Sequence, residues 1–338
     1  MSEVEVFLDD TPGETRGMIA RGGRFEHLLI QRESQAGQHR LGARCVGRVI
    51  EAEGAFRAAF VDLGAPGPAG FLPLAKGQSV KNGDRIEAEV TAEPRERKGP
   101  ALRRLGAGEG APRLIHPGPD VRETLAALAP GTAVQTGAAA IQASWDAEEE
   151  ALADGDFYAA WALDLAVQRT RALIAVDVDY AHLPGRDARK GREQANREGL
   201  KQAARLIRLK RWGGLVAVDL AGSALDAAAV TAMARAAFAD TPQAAVGPLS
   251  RFGLLQLSLP WRLTPIEEVL SQTVETRAID TVRRLRHAIL SDTATPRFIA
   301  RCAPTEAAIA APLAARLGPR AAAVADPAVV GAALIEEA

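Results

Sequence analysis

Apolar and polar positions alternate from residue 3 to residue 31, with Val4, Val6 and Leu8, then Met18, Ile19 and Ala20, on the apolar side. This predicts short antiparallel strands about a turn at Gly22-Gly23. Four short runs follow at turn-like intervals, Cys45 to Ala52, Ala58 to Leu63, Gly70 to Pro73 and Arg85 to Thr91, punctuated by Gly54, Gly64-Ala65-Pro66-Gly67 and Asn82-Gly83. Such spacing predicts a small five-stranded barrel ending near Leu105. A Gly/Pro-rich connector, Gly106 to Pro119, leads to helical periodicity around Val121 to Leu128 and Asp156 to Gln168.

The strongest pattern lies further on. Leu173-Ile174-Ala175-Val176-Asp177-Val178-Asp179-Tyr180 and Gly213-Gly214-Leu215-Val216-Ala217-Val218-Asp219 each read as a buried strand ending in carboxylate. A helical stretch joins them, so parallel or adjacent strands bring Asp177, Asp179 and Asp219 to one sheet edge. Mg²⁺ takes oxygen ligands, keeps several waters, and is commonly held by one or two carboxylates together with a substrate phosphate. The competing reading is that these aspartates cap the helices that follow, a favoured role for Asp.

Charge sharpens the choice. Arg186 to Arg211 carries ten lysines and arginines against three acids. Cations that neutralise phosphates beside carboxylates that hold an ion suit a nucleic-acid backbone, although a charged helix face is often only solvated. The formal net charge of −1 hides this segregation, since Trp145 to Asp156 holds six acids and no base. Only Cys45 and Cys302 occur among 338 residues, which argues against a disulfide framework or a structural zinc site. The first residues lack a basic and apolar leader, and no apolar stretch reaches membrane-spanning length, so a cytoplasmic protein is expected. On the barrel, Phe60 and Phe71 fall on neighbouring strands. They read equally well as core residues or as platforms for single-stranded bases, with Arg44, Arg48, Arg95, Arg97 and Lys98 following the backbone.

Several collinear motifs resemble the ribonuclease E/G family. They are Gly22-Gly23-Arg24-Phe25-Glu26, Gly47-Arg48-Val49, Gly70-Phe71-Leu72-Pro73-Leu74, Arg113-Leu114-Ile115-His116, Ala175-Val176-Asp177-Val178-Asp179, Asn196 and Glu198, Arg208-Leu209 through Asp219, and Ser250-Arg251-Phe252-Gly253-Leu254-Leu255. The resemblance implies an α+β multidomain chain, with an OB-type β-barrel inserted in a ribonuclease H-like domain and a deoxyribonuclease I-like α/β nuclease subdomain after it. The expected segments are 1–38 and 107–155 for the ribonuclease H-like domain, 39–106 for the barrel, 156–265 for the nuclease subdomain and 266–338 for a small C-terminal domain.

By the same likeness Asp177 and Asp219 match the metal-binding aspartates, and Asp179 falls where the family usually has an assisting asparagine. Phe60, Phe71 and Lys98 match residues that grip single-stranded RNA, with Arg48, Arg97, Arg189 and Lys190 as further RNA contacts; Phe252 and Gly253 are expected to support the sheet. The implied activity is Mg²⁺- or Mn²⁺-dependent internal cleavage of single-stranded RNA to 5′-phosphate and 3′-hydroxyl ends, with an RNA-binding protein of decayed activity as the rival.

Three departures stand out. Only Gly106 to Pro112 occupies the place of the 5′-monophosphate sensor, and Gln243 stands where its partner arginine is usual. Gly222 replaces a second aspartate, and Ile266 to Ile279 holds no cysteine. Cleavage independent of the RNA 5′ end is therefore expected, and no zinc; any oligomer would not be zinc-linked. The histidines His116 and His182 receive no catalytic role, because a lone histidine near a loop is more often incidental.

Overall fold

The computed structural model describes residues 3–35, 37–181, 187–223, 225–271 and 273–338. The chain divides into two compact units, Met1–Glu148 with Leu263–Ala338, and Glu149–Arg262. It is a mixed α and β protein with several sheets and seven α-helices among the described residues.

The first unit opens with β1 (Val4–Thr11), β2 (Glu14–Arg21) and β3 (Arg24–Arg32), all antiparallel. Gly22-Gly23 makes the second turn as expected, but Pro12-Gly13 makes another, so the opening element is three-stranded rather than a single hairpin.

Next come β4 (Arg44–Glu53), β5 (Ala58–Asp62), β6 (Gly70–Pro73), β7 (Arg85–Ala92), β8 (Ala101–Ala107) and β9 (Arg113–His116). Pairing runs β5-β6-β8-β7-β4, and β4 pairs back to β5, so β4 to β8 close a ring around Cys45, Val49, Val61, Leu72, Ile86, Val90 and Leu102. Closure removes the exposed strand edges that an open sheet presents. The segment read as a bare connector contains β9, which pairs with β4 through Cys45 and Leu114. Four residues are too few for a periodicity signal, so sequence reading missed it. The helix α1 (Val121–Leu128) starts at a capping box of Asp120 and Glu123. After it come β10 (Val134–Gln135), parallel to β1, and α2 (Ala138–Leu152).

The second unit contains β11 (Gly155–Tyr158), β12 (Leu163–Arg169), β13 (Ile174–Tyr180), α3 (Ala188–Leu209), β14 (Gly214–Asp219), α4 (Ala227–Ala237), β15 (Ala245–Val246) and β16 (Leu255–Leu259). The sheet order is β11-β12-β13-β14-β16-β15, with β13 and β14 the parallel pair joined through α3. The expected helix over Asp156 to Gln168 is instead β11 and β12. Leu163, Leu165 and Val167 are buried while Asp164 and Gln168 are exposed, a period of two that pairing with β13 enforces. On the buried face, Ile174, Val176, Val178, Val216 and Val218 pack on Ala195, Leu200 and Ala203 of α3 and on Val230 and Ala234 of α4.

The C-terminal part returns to the first unit as α5 (Ile266–Leu270), α6 (Thr273–Ser291), β17 (Phe298–Cys302), α7 (Pro304–Ala315), β18 (Ala321–Ala325) and β19 (Leu334–Glu337). Its alanine-rich stretch Ala321–Ala325 is a strand parallel to β17. Fully buried charges tie α6 to the opening sheet. The Glu14 carboxylate accepts from Arg16 at 2.6 Å, Arg32 at 2.7 Å and Arg283 at 2.8 Å, and Asp9 accepts from Arg283 at 2.6 Å.

Candidate active site

Alternation along the exposed strand positions builds one acidic surface. In β13, Val176 and Val178 point into the core, so Asp177 and Asp179 point out. In the parallel register Asp177 lies beside Asp219, the last residue of β14. In the antiparallel register Asp179 lies beside Asp164 of β12. The structure therefore brings together all three expected aspartates and adds Asp164. That residue was missed because β12 had been read as helix; the signal was the Leu-x-Leu-x-Val alternation around it.

Burial first, then the charges of Asp179, Asp219 and Asp164, raise the Asp177 pKa above the usual carboxylate range. Among the described residues none of the four carboxylates has a hydrogen bond or ion pair with another protein group. Nor does any group of three or more histidines, cysteines, aspartates or glutamates hold a metal by itself. Uncompensated like charges with too few ligands to close a cage fit a hard cation that keeps waters and accepts substrate oxygens.

The capping alternative fails on position. Asp187 caps α3 through Arg189 N and Lys190 N, and Asp226 caps α4 through Ala228 N and Ala229 N, which leaves the strand-end aspartates without that task. The N-terminus of α3 follows β13, so Arg189 and Lys190, both exposed, belong to the carboxyl edge where Asp177 and Asp219 lie.

The basic stretch divides in two. Arg205, Lys210 and Arg211 are buried, Arg205 against Glu150 at 2.7 Å and Tyr158 at 3.2 Å. The exposed cations of α3 lie from Arg189 to Lys201 and include Arg192, Arg197 and Lys201, the last two paired with Glu193 and Glu198. His182 and Arg186 lie outside the described residues.

Two residues hold the site's frame. Asn196, buried on α3, donates to Ala221 O at 3.0 Å and accepts from Ala221 N at 2.8 Å, fixing the segment two residues beyond Asp219. A Cβ on Gly199 would lie 2.7 Å from Val178 Cγ1, so a glycine here is what lets α3 rest against β13. Phe252 does not support the sheet as expected: it is 76% exposed, on a turn that precedes β16. Gly253 in the same turn has φ +83° and does serve the backbone.

On the ring of strands in the first unit, Phe60 of β5 and Phe71 of β6 are direct cross-strand partners, with ring centroids 6.0 Å apart and edge-to-face. They are 36% and 41% exposed, so the core reading is excluded. Phe71 N donates to Pro100 O at 2.8 Å, which places the bridged turn Arg95 to Lys98 next along the chain from Phe71's neighbour. Arg48, Arg97 and Lys98 are exposed, while Arg44 is engaged by Glu87.

The second unit is thus an α/β layer whose carboxylates converge where a parallel strand pair ends. Within this unit, residues 161–260 match the model of the ribonuclease E/G family. The resemblance read from the sequence is borne out over that segment. No curated protein matches the chain. Among the described residues no helix is long and apolar enough to cross a membrane.

Proposed function

We propose that the chain is a Mg²⁺- or Mn²⁺-dependent endoribonuclease that cuts single-stranded RNA internally, leaving 5′-phosphate and 3′-hydroxyl ends. One observation carries this reading: the register pairing of Asp177 with Asp219 at the carboxyl edge of two parallel strands, with no ion-pair partner for either among the described residues. Asp177 and Asp219 hold the ion, and Asp179 supports it. A divalent cation held by these residues would supply Lewis-acid chemistry toward a phosphate and a more acidic bound water.

The remaining roles belong to the side chains themselves. Phe60 and Phe71 take unstacked bases on their exposed faces, as an OB-type barrel does. Arg48, Arg97 and Lys98 neutralise the backbone near them, and Arg189 and Lys190 draw phosphate to the carboxyl edge of the second unit's sheet. The short link from Gly106 to Pro112 supports cutting that ignores the RNA 5′ end.

The test is cleavage of single-stranded, AU-rich RNA carrying either a 5′-monophosphate or a 5′-hydroxyl, with and without Mg²⁺ or Mn²⁺. Metal-dependent cutting of both at similar rates, lost in Asp219→Asn while RNA binding persists, is the expected result. Binding by both proteins with cutting by neither would make the chain an RNA-binding protein instead.

A further inference from the structure

The turn before β16 is built to display a cation and a ring. Ser250 Oγ accepts from Phe252 N at 3.3 Å and from Leu254 N at 3.1 Å. Ser250 N donates to Leu254 O at 2.9 Å, and Gly253 N to Ser250 O at 3.0 Å. Four hydrogen bonds over five residues fix the backbone, and Gly253 takes the left-handed conformation that closes it. On this rigid turn the Arg251 guanidinium lies 4.7 Å from the centre of the Phe252 ring, and the ring is otherwise open to solvent. A phenylalanine so exposed forgoes its burial energy, and it belongs to no core cluster. The turn's place is equally specific. Leu255 pairs with Val218, so residues 251 to 254 lie just beyond the end of β14, at the sheet edge where Asp219 stands beside Asp177.

We infer that Arg251 and Phe252 together hold one nucleotide of a single-stranded RNA next to the acidic site, the base against the free face of the Phe252 ring and its phosphate against the Arg251 guanidinium. This rests on the proposed RNA-cleaving reading and adds to it a substrate-holding pair in the same unit as the carboxylates. A ring accepts any base through its π-face, and a pre-stacked arginine offers donors in a fixed fork to a phosphate. The pair therefore positions the strand without selecting sequence.

The test is the affinity of the full chain for a short, unstructured, fluorescently labelled RNA in Ca²⁺, read by anisotropy for wild type, Phe252→Ala, Phe252→Trp and Arg251→Ala. Phe252→Ala is expected to weaken binding about fivefold or more, the low end for losing one stacked base, with an unchanged melting temperature. Phe252→Trp should restore affinity, and Arg251→Ala should lessen its salt dependence. Equal affinity of wild type and Phe252→Ala overturns this inference alone. A wild type that binds no RNA overturns the proposed function as well. A fall in melting temperature with affinity unchanged returns Phe252 to a structural role.

Discussion

Two groups of ionised side chains in this molecule are treated in opposite ways. In the first unit Asp9 and Glu14 are wholly buried, and each is met by guanidinium groups of Arg16, Arg32 or Arg283 at hydrogen-bonding distance. In the second unit Asp164, Asp177, Asp179 and Asp219 stand together on an exposed sheet face with no protein partner among the described residues. Compensated charge inside a fold specifies how its parts dock; uncompensated charge on a rigid sheet is maintained for something that arrives from solution. Burial and pairing together separate structure from site here, whereas a count of acids does not.

The largest expected effect comes from breaking the compensated group. Glu14→Gln leaves three buried arginines short of an anion, and removing one partner of a buried ion pair costs about 3–5 kcal/mol. The loss is to be read by chemical denaturation. Its pH dependence has a definite sign. Burial alone would raise the Glu14 pKa, but Arg16, Arg283 and Arg32 outweigh it and hold the carboxyl well below the usual range. Its contribution is therefore present above the unfolded pKa of about 4.3 and is lost as pH falls below that. Glu14→Gln should flatten this acid-side loss. An unchanged acid limb would mean that the network does not govern docking of α6.

Breaking the uncompensated group should do the reverse. Asp177→Asn removes one of four like charges, so the protein is expected to be slightly more stable at neutral pH while cleavage falls on the order of 10²-fold or more. The Asp177 pKa is raised, so its charge costs stability as pH rises through that value, and the variant should abolish this opposite-signed term. Added Mg²⁺ is expected to raise the melting temperature of the wild type and to raise that of Asp177→Asn much less. A variant that loses stability instead would place Asp177 in the structure rather than in the site.

Much of this contrast is legible in the chain. The Val-rich runs ending in Asp177 and Asp219 announce strands by their β-branched, alternating pattern, and their joining helix announces the parallel pair. Asp164 was hidden, since Asp156 to Gln168 fits a helical period nearly as well as a strand until pairing with β13 selects one. The buried network was hidden for another reason. Glu14, Arg16 and Arg32 look like surface residues, and only the folded chain brings Arg283 to Glu14, Glu148 to Arg16 and Glu275 to Arg32. Phe60 and Phe71 were undecided because alternation fixes which residues share a face but not which face is covered.

The aromatic pair offers a smaller test of the same contrast on the barrel. Phe60→Ala is expected to weaken single-stranded RNA binding by about 1–3 kcal/mol, with little change in stability for a side chain already partly in water. Leu72→Ala, on the strand beside it but fully buried, should cost about 2–5 kcal/mol of stability, and the folded fraction should bind RNA as before. If Phe60→Ala destabilises as Leu72→Ala does, the exposed pair is packing rather than a platform.

The smallest expected effect comes from a third kind of charge, one placed against the field of its own helix. Arg189 and Lys190 occupy the first turn of α3, which contains no acid, although the helix dipole favours anions there. Lys190→Ala should relieve that unfavourable placement by about 0.3–1 kcal/mol and, by removing one phosphate contact, lower the salt dependence of RNA binding by about 0.7 in the log-log slope. Stability and binding then move in opposite directions for one substitution, as they do at Asp177. The two positions carry opposite charge at the same sheet edge. If Lys190→Ala lowered stability and left the salt slope unchanged, the first turn would belong to the compensated class, and the phosphate-attracting role at that edge would fall to Arg189 alone.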